Sequence, residues 1–224
     1  MASLDIICQE PVVFSDRRQA AHMLAEHIAG ACGKEKPLIL GIPRGGMVIA
    51  ADIAAEVGGD LDIILTRKLG APNNPELAIG AITETAETVL NDELICYLNV
   101  SSAYIENEKT SQKNLIAQRS SRYRGIYPKQ PIKDRIVVLT DDGVATGATM
   151  RAAIWAAKAE SPSKIILAIP VAPPDTAASL SREVDRTICI SAPSNFGAVG
   201  MFYRDFNQVS DETVIRILEN TAKR

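Results

Sequence analysis

The chain has 224 residues, with 24 Lys+Arg against 27 Asp+Glu, a net charge of −3, a pI near 5.5 and 46% apolar residues. That balance suits one globular domain, 1–224, with a sizeable core; it disfavours a broad nucleic-acid surface, and no apolar run approaches the roughly 20 residues of a membrane span. The start, MASLDIICQEPVVF, lacks a basic stretch followed by an apolar core, so no secretory signal is expected. Cys8, Cys32, Cys96 and Cys189 are widely spaced and read as free thiols of a reducing, cytoplasmic setting.

Ser15 or Asp16 is expected to cap a first helix running to about Ala31, ended by Gly33 and Pro37. Residues 37–41 read as a buried strand, 47–57 as the helix after it, and 61–65 as a second strand. A loop rich in Gly, Pro and Asn at 70–75 precedes a two-stranded excursion at 77–83 and 87–90. Residues 101–122 are polar and predict an exposed helix inside an inserted segment, 91–130. Further strands are expected at 135–140, 164–170 and 184–190. A small hood is expected at 191–210, and 211–223 should form a closing amphipathic helix. Strands alternating with helical periodicity predict an α/β fold with a doubly wound, mostly parallel sheet.

The most informative stretch is 136–149, IVVLTDDGVATGAT. An apolar strand runs into two adjacent carboxylates, Asp141 and Asp142, then into a turn of small residues and a helix-like segment. A helix starting on such a turn points unpaired backbone N–H groups at one spot, with the positive end of its dipole behind them. That is a phosphate site. Gly143 and Gly147 leave the backbone open to a close-lying ligand, and Thr146 and Thr149 add hydroxyls. The carboxylates suit a neighbouring pair of hydroxyls, as on a ribose, and can hold Mg²⁺ directly or through water. An Asp-Asp pair alone would read as a solvated turn; the strand before it and the G-x-T after it favour a loop that holds a ribose 5-phosphate.

This stretch resembles the signature of type I phosphoribosyltransferases, in which two acids touch the ribose of phosphoribosyl pyrophosphate (PRPP) and the loop holds its 5-phosphate. The resemblance implies the ribose role for Asp141 and Asp142, and the phosphate role for Gly143, Ala145, Thr146, Gly147, Ala148 and Thr149. That reaction releases pyrophosphate, so cations are needed on the other side of the sugar. Gly41-Ile-Pro-Arg-Gly-Gly46, with Arg44, Gly45 and Gly46, resembles the family's pyrophosphate loop, which carries a non-proline cis peptide. Thr66-Arg67-Lys68 adds two cations at the same sheet edge, where the carboxyl ends of parallel strands gather ligands. Residues 69–87 resemble the mobile loop that folds over the reacting centre and excludes water; Glu76 or Glu84 could act on a base from it or stand as solvated charges. IPRGG, TRKLGAPNNPELAIGAI, the polar helix ending in Arg122-Tyr-Arg-Gly125, DDGVATGATMRAAI, AIPVAPP and FGAVGMFYRDFNQVSD occur in that order. Together they look like a bacterial group of phosphoribosyltransferases whose acceptor is undefined.

The expected activity is Mg²⁺-dependent transfer of ribose 5-phosphate from PRPP to a nitrogen acceptor, expected to be a nucleobase. Arg44, Arg67, Lys68 and Mg²⁺ would meet the departing pyrophosphate. The hypoxanthine–guanine enzymes, which the loop also resembles, carry an acid where Ala145 stands, and a lysine for which 169–174 has no counterpart. A 6-oxopurine acceptor is therefore disfavoured. Phe202 and Tyr203 are candidates to stack on a flat ring, and Asp205 to reach a metal-bound pyrophosphate or a ring nitrogen. Two other readings stay open. One is a non-catalytic PRPP- or nucleotide-sensing regulator, for which Arg122, Arg124, Lys129, Lys133 and Arg135 offer a local basic patch. The other is a PRPP or phosphate-ester hydrolase, which needs a general base although no His lies near any motif. Residues 101–122 suit a dimer arm or a lid, so a homodimer is compatible with the sequence; membranes and nucleic acid are not expected partners.

Overall fold

The computed structural model describes residues 3–223, with the Glu76 side chain outside that description. Its centre is a six-stranded sheet, every neighbouring pair parallel. In chain order the strands are β1 (Ser3–Cys8), β2 (Leu38–Gly41), β3 (Asp60–Ile63), then β7 (Ile136–Thr140), β8 (Lys164–Val171) and β9 (Arg186–Ser191). Their spatial order is β1-β9-β8-β7-β2-β3. Successive residues of each strand feed opposite faces. Ile39, Val138 and Ile166 pack with α1 (Arg17–Cys32), α2 (Gly45–Val57) and α7 (Asp211–Ala222), while Leu38, Leu40, Val137, Leu139 and Leu167 pack with α5 (Ala148–Ala159) and α6 (Pro174–Ser181). A strand buried on both faces is a continuous apolar run, which is why β7 reads IVVLT.

Helix ends follow local chemistry. The Asp16 carboxylate accepts from the Gln19 N–H at 2.9 Å, so Arg17 becomes the first residue of α1. Ser210 caps α7 in the same way, accepting from Thr213 N–H. β1 and α6 did not stand out in the sequence: β1 is a half-buried edge strand, and α6 has only eight residues.

The two-stranded excursion expected at 77–83 and 87–90 is present, and the departure lies before it: residues 66–71 form a further strand, so the chain builds an antiparallel sheet of β4 (Thr66–Ala71), β5 (Asn74–Thr83) and β6 (Thr88–Leu90). Asn73 turns the β4–β5 hairpin with φ 64°, a left-handed conformation that Asn tolerates. Leu69, Ala71, Ile79 and Ile82 then share a small separate core with Ile105. Ile105 belongs to α4 (Ser102–Arg124), which follows the short α3 (Asp92–Tyr97). α4 is polar as expected, and only Ile105, Ile116 and Tyr123 are buried along it.

Ionic contacts seat α4. Arg124 donates to Asp62 Oδ1 at 2.6 Å, to both Glu84 oxygens at 2.8 Å and to the Ile63 carbonyl at 2.9 Å. Asp62 is 1% exposed, so β3, β5 and the end of α4 meet at a buried charge network. Arg122 pairs with Asp211 and Glu212, Lys129 with Glu160, and Arg135 with Asp60. The basic cluster seen in the sequence is thus largely neutralised in the fold. No helix among the described residues is long and apolar enough to cross a membrane.

Candidate active site

β2 and β7 are neighbours with Gly41 opposite Thr140, so the loops that follow them emerge side by side. Ile42 N–H donates to the Thr140 carbonyl at 3.0 Å, the Pro43–Arg44 peptide is cis, and α2 begins at Gly45. The two loops touch through glycine. A Cβ on Gly45 would stand 1.9 Å from Asp142 Oδ2, and one on Gly46 would stand 2.8 Å from Asp141 Cα. A side chain at Gly45 would displace the Asp142 carboxylate, and one at Gly46 would meet backbone.

The second loop is anchored where it turns. Val144 is buried and its N–H donates to the Val171 carbonyl at 2.9 Å; Thr176 Oγ1 donates to the Ala145 carbonyl at 3.0 Å. Gly147 has φ 80°, which lets the chain enter α5 directly, and Thr176 Cγ2 lies only 3.1 Å from where a Cβ would be. Ala145, Thr146 and Thr149 remain exposed around the N-terminus of α5. The first N–H groups of that helix face the same opening, the arrangement that binds a phosphate.

The acid pair is held from three directions. Asp141 Oδ1 accepts from Asp142 N–H at 2.8 Å, and Gly46 N–H also bonds the Asp141 carboxylate. Arg17 donates to Asp142 Oδ2 through Nε at 3.0 Å and through NH2 at 2.8 Å, and to the Asn207 carbonyl at 2.9 Å. Its guanidinium lies 4.1 Å from the Phe206 ring centroid, a cation–π contact. Tyr203 O–H donates to the Asp142 carbonyl at 2.6 Å. Burial, and then the charge of Asp142, raise Asp141 well above the usual carboxylate range. Burial also raises Asp142, with Arg17 opposing it. Among the described residues no group of three or more His, Cys, Asp or Glu could hold a metal ion.

The sequence-predicted cations divide between two cavities. Arg67 and Lys68 line one of about 400 Å³, together with Ile42, Pro43, Thr149 and the inner face of α4. Arg44 lines another, about 470 Å³, with Arg17, Gly45, Asp142, Val199 and Phe206. Arg44 also reaches Asp211 at 3.8 Å. Ile42 and Pro43 of the 41–46 loop thus border one cavity, and Arg44 and Gly45 the other.

The three acceptor candidates behave differently from their sequence reading. Phe202 and Tyr203 are each 6% exposed and belong to the core. Phe14 exchanges backbone hydrogen bonds with Phe202 and Arg204, and this pairing draws both rings inward. Tyr203 instead braces Asp142. Asp205 is exposed and its Oδ1 accepts from Asn207. Phe206, stacked on Tyr203 at 4.9 Å, is the ring that borders the second cavity. Glu84 is committed to Arg124, and the Glu76 side chain lies outside the described residues. Arg17 carried no local motif in the sequence; only the Asp16 cap, which fixes where α1 begins, hinted at its placement.

The phosphoribosyl transferase domain family matches residues 16–207. Rv0571c of Mycobacterium tuberculosis strain H37Rv, provisionally named a phosphoribosyl transferase, is 38% identical over 211 residues. A protein of the same provisional name, MT0597 of strain CDC 1551 / Oshkosh, matches to the same degree. Each match covers 94% of this chain and 47% of the relative, so the chain spans about half the length of these relatives. The crystal structure of TT1426 from Thermus thermophilus superposes with a TM-score of 0.89 at 44% identity, covering 93% of this chain and 99% of that one. With the strand order, the acid pair and the loop before α5, these matches settle the family: the chain belongs to the phosphoribosyl transferase domain family.

Proposed function

We propose that the protein transfers the ribose 5-phosphate group from PRPP to a nitrogen acceptor, a nucleobase, releasing pyrophosphate. The observation that carries this reading is the contact between the 41–46 loop and the Asp141–Thr149 loop. It brings the acid pair against the loop whose Ile42 and Pro43 border the basic cavity, with Thr149 of α5 on that cavity's wall, which supports the reading. In this reading the α5 N-terminus with Thr146 and Thr149 takes the 5-phosphate, and Asp141 and Asp142 take the ribose hydroxyls. Arg67 and Lys68 take the pyrophosphate. Arg44 borders the acceptor side, beside Phe206.

Magnesium fits these residues as a shared ion. Asp142 Oδ2 is bound to Arg17 and Asp141 Oδ1 to a backbone N–H, so the acids can give it only part of a ligand set. Magnesium commonly completes its shell with water and substrate phosphates. When bound, it would neutralise charge on the departing pyrophosphate. The chain's own contribution is electrostatic: cations preorganised on the leaving-group side, and a fixed ribose.

The test is thermal unfolding with PRPP and Mg²⁺, followed by product analysis with a panel of nucleobases. A ligand at 100 times its dissociation constant adds about 2.7 kcal/mol, which for a chain of this size raises Tm by roughly 5–11 °C. Coupled loss of base and appearance of pyrophosphate and a nucleotide would support transfer. Pyrophosphate with free ribose 5-phosphate would indicate a hydrolase, and binding without turnover a sensor. No shift with PRPP would overturn the reading.

A further inference from the structure

The wall of the basic cavity opposite the two ligand loops is α4. Tyr104, Glu108, Gln112 and Arg119 line it, at spacings of four, four and seven residues, so they fall on one helix face. They are not idle there. Tyr104 O–H donates to the Gly70 carbonyl at 3.1 Å and ties α4 to β4. Gln112 Oε1 accepts from Arg67 Nε at 2.8 Å, and Gln112 Nε2 donates to Glu108 Oε1 at 3.0 Å. The relay Glu108–Gln112–Arg67 fixes Arg67 by one edge of its guanidinium and leaves the NH1 and NH2 groups for a ligand.

Arg119 brings a further guanidinium to the same cavity. Burial, and then the repulsion of Arg119, hold Arg67 below its usual basicity, and only Glu108 opposes them. Two guanidinium groups sharing one partly buried cavity repel, and an anion between them relieves that repulsion. The volume of about 400 Å³ falls within the roughly 300–1,000 Å³ of small-ligand sites, leaving room for a condensed phosphate.

We infer that α4 completes the polyanion end of the site: Arg119 is a direct ligand of the pyrophosphate group, and Gln112, held by Glu108, is a positioning residue for Arg67. This rests on the proposed PRPP chemistry and adds residues from an element outside the two ligand loops. The relay sets the direction in which Arg67 presents its hydrogen bonds, and Arg119 supplies charge from the facing wall. Ribose 5-phosphate, which lacks the pyrophosphate, would not meet either.

The test compares three ligands, PRPP, inorganic pyrophosphate and ribose 5-phosphate, each with Mg²⁺, by calorimetry on wild type, Arg119→Ala, Arg119→Lys and Gln112→Leu. Loss of one charge-assisted hydrogen bond should weaken PRPP and pyrophosphate about ten- to a hundredfold in Arg119→Ala and Gln112→Leu, with ribose 5-phosphate binding unchanged. Arg119→Lys should recover part of the loss. If wild type binds PRPP and these variants bind all three ligands as wild type does, the role of α4 is overturned while the PRPP reading stands. Equal weakening of all three ligands would mean that α4 acts only as scaffold, and also overturns it. Wild type that binds neither PRPP nor pyrophosphate overturns both.

Discussion

Arg124→Ala tests whether the buried charge network seats α4 against the core. In the native protein Arg124 serves Asp62, 1% exposed, and Glu84, whose side chain is 9% exposed. Removing one partner of a buried ion pair typically costs about 3–5 kcal/mol, because the remaining charge stays buried without compensation. Here two carboxylates are stranded, but neither loses everything. Asp62 keeps the N–H groups of Ile63 at 2.7 Å and Gln130 at 2.9 Å, and Glu84 keeps the Ser120 hydroxyl at 3.2 Å. The lower end is therefore expected, about 3 kcal/mol, or a fall in Tm of roughly 6–12 °C. The loss should also depend on pH. Burial already raises Asp62, and losing Arg124 removes its largest opposing influence. An acid raised in the folded state binds more protons there than in the unfolded chain, so stability falls as pH rises from the unfolded value, about 3.9, through the folded one. The gap in Tm between variant and wild type should thus be wider at pH 8 than at pH 5, by differential scanning calorimetry. A Tm within about 2 °C of wild type at both pH values would refute the reasoning.

Gly45→Ala should abolish the PRPP-dependent rise in Tm while the protein still folds, because its Cβ would enter the space of Asp142 Oδ2; an undiminished shift would show that Asp142 has no part in binding. Tyr203→Phe removes the 2.6 Å bond to the Asp142 carbonyl and should lower stability by about 1–3 kcal/mol in a denaturant titration. Its turnover should fall as well; unchanged stability and turnover would make that bond incidental. Asp142→Asn and Arg44→Ala are each expected to lower turnover about a hundredfold or more in a pyrophosphate-release assay. Turnover at the wild-type level in both would sink the transferase assignment.

The parallel sheet was legible because a strand buried on two faces is a plain apolar run, and residues 136–140 advertise one. The two touching loops were legible because their signals are local: Gly45 and Gly46, and Asp141, Asp142 and Gly147, fall within a few residues of one another along each loop. What stayed hidden depends on contacts across long separations. Arg17 meets Asp142 across 125 residues, and no pattern around Arg17 marks it. Phe202 and Tyr203 read as candidates either to stack on a ring or to pack in the core, because the sequence does not reveal the pairing of Phe14 with 202–204 that turns them inward. The hairpin at 66–83 was masked by its Pro- and Asn-rich turn, which resembles a loop until the pairing of β4 with β5 is seen.

The distribution of charge between the two cavities bears on which ligand end each receives. On the side of Phe206, Arg17 has Asp142 at 2.8 Å, and Arg44 reaches Asp211, which it shares with Arg122, at 3.8 Å. That cavity offers an aromatic face and the apolar Val199. Across the 41–46 loop, Arg67 and Arg119 line the other cavity, and among the described residues Glu108 is the carboxylate that lines it with them. Desolvating a polyanion is favourable only where excess positive charge awaits it, whereas a flat uncharged ring gains from apolar contact and loses little. Under the proposed function, this asymmetry favours pyrophosphate under α4 and the acceptor ring against Phe206, with the acid pair and the ribose between them.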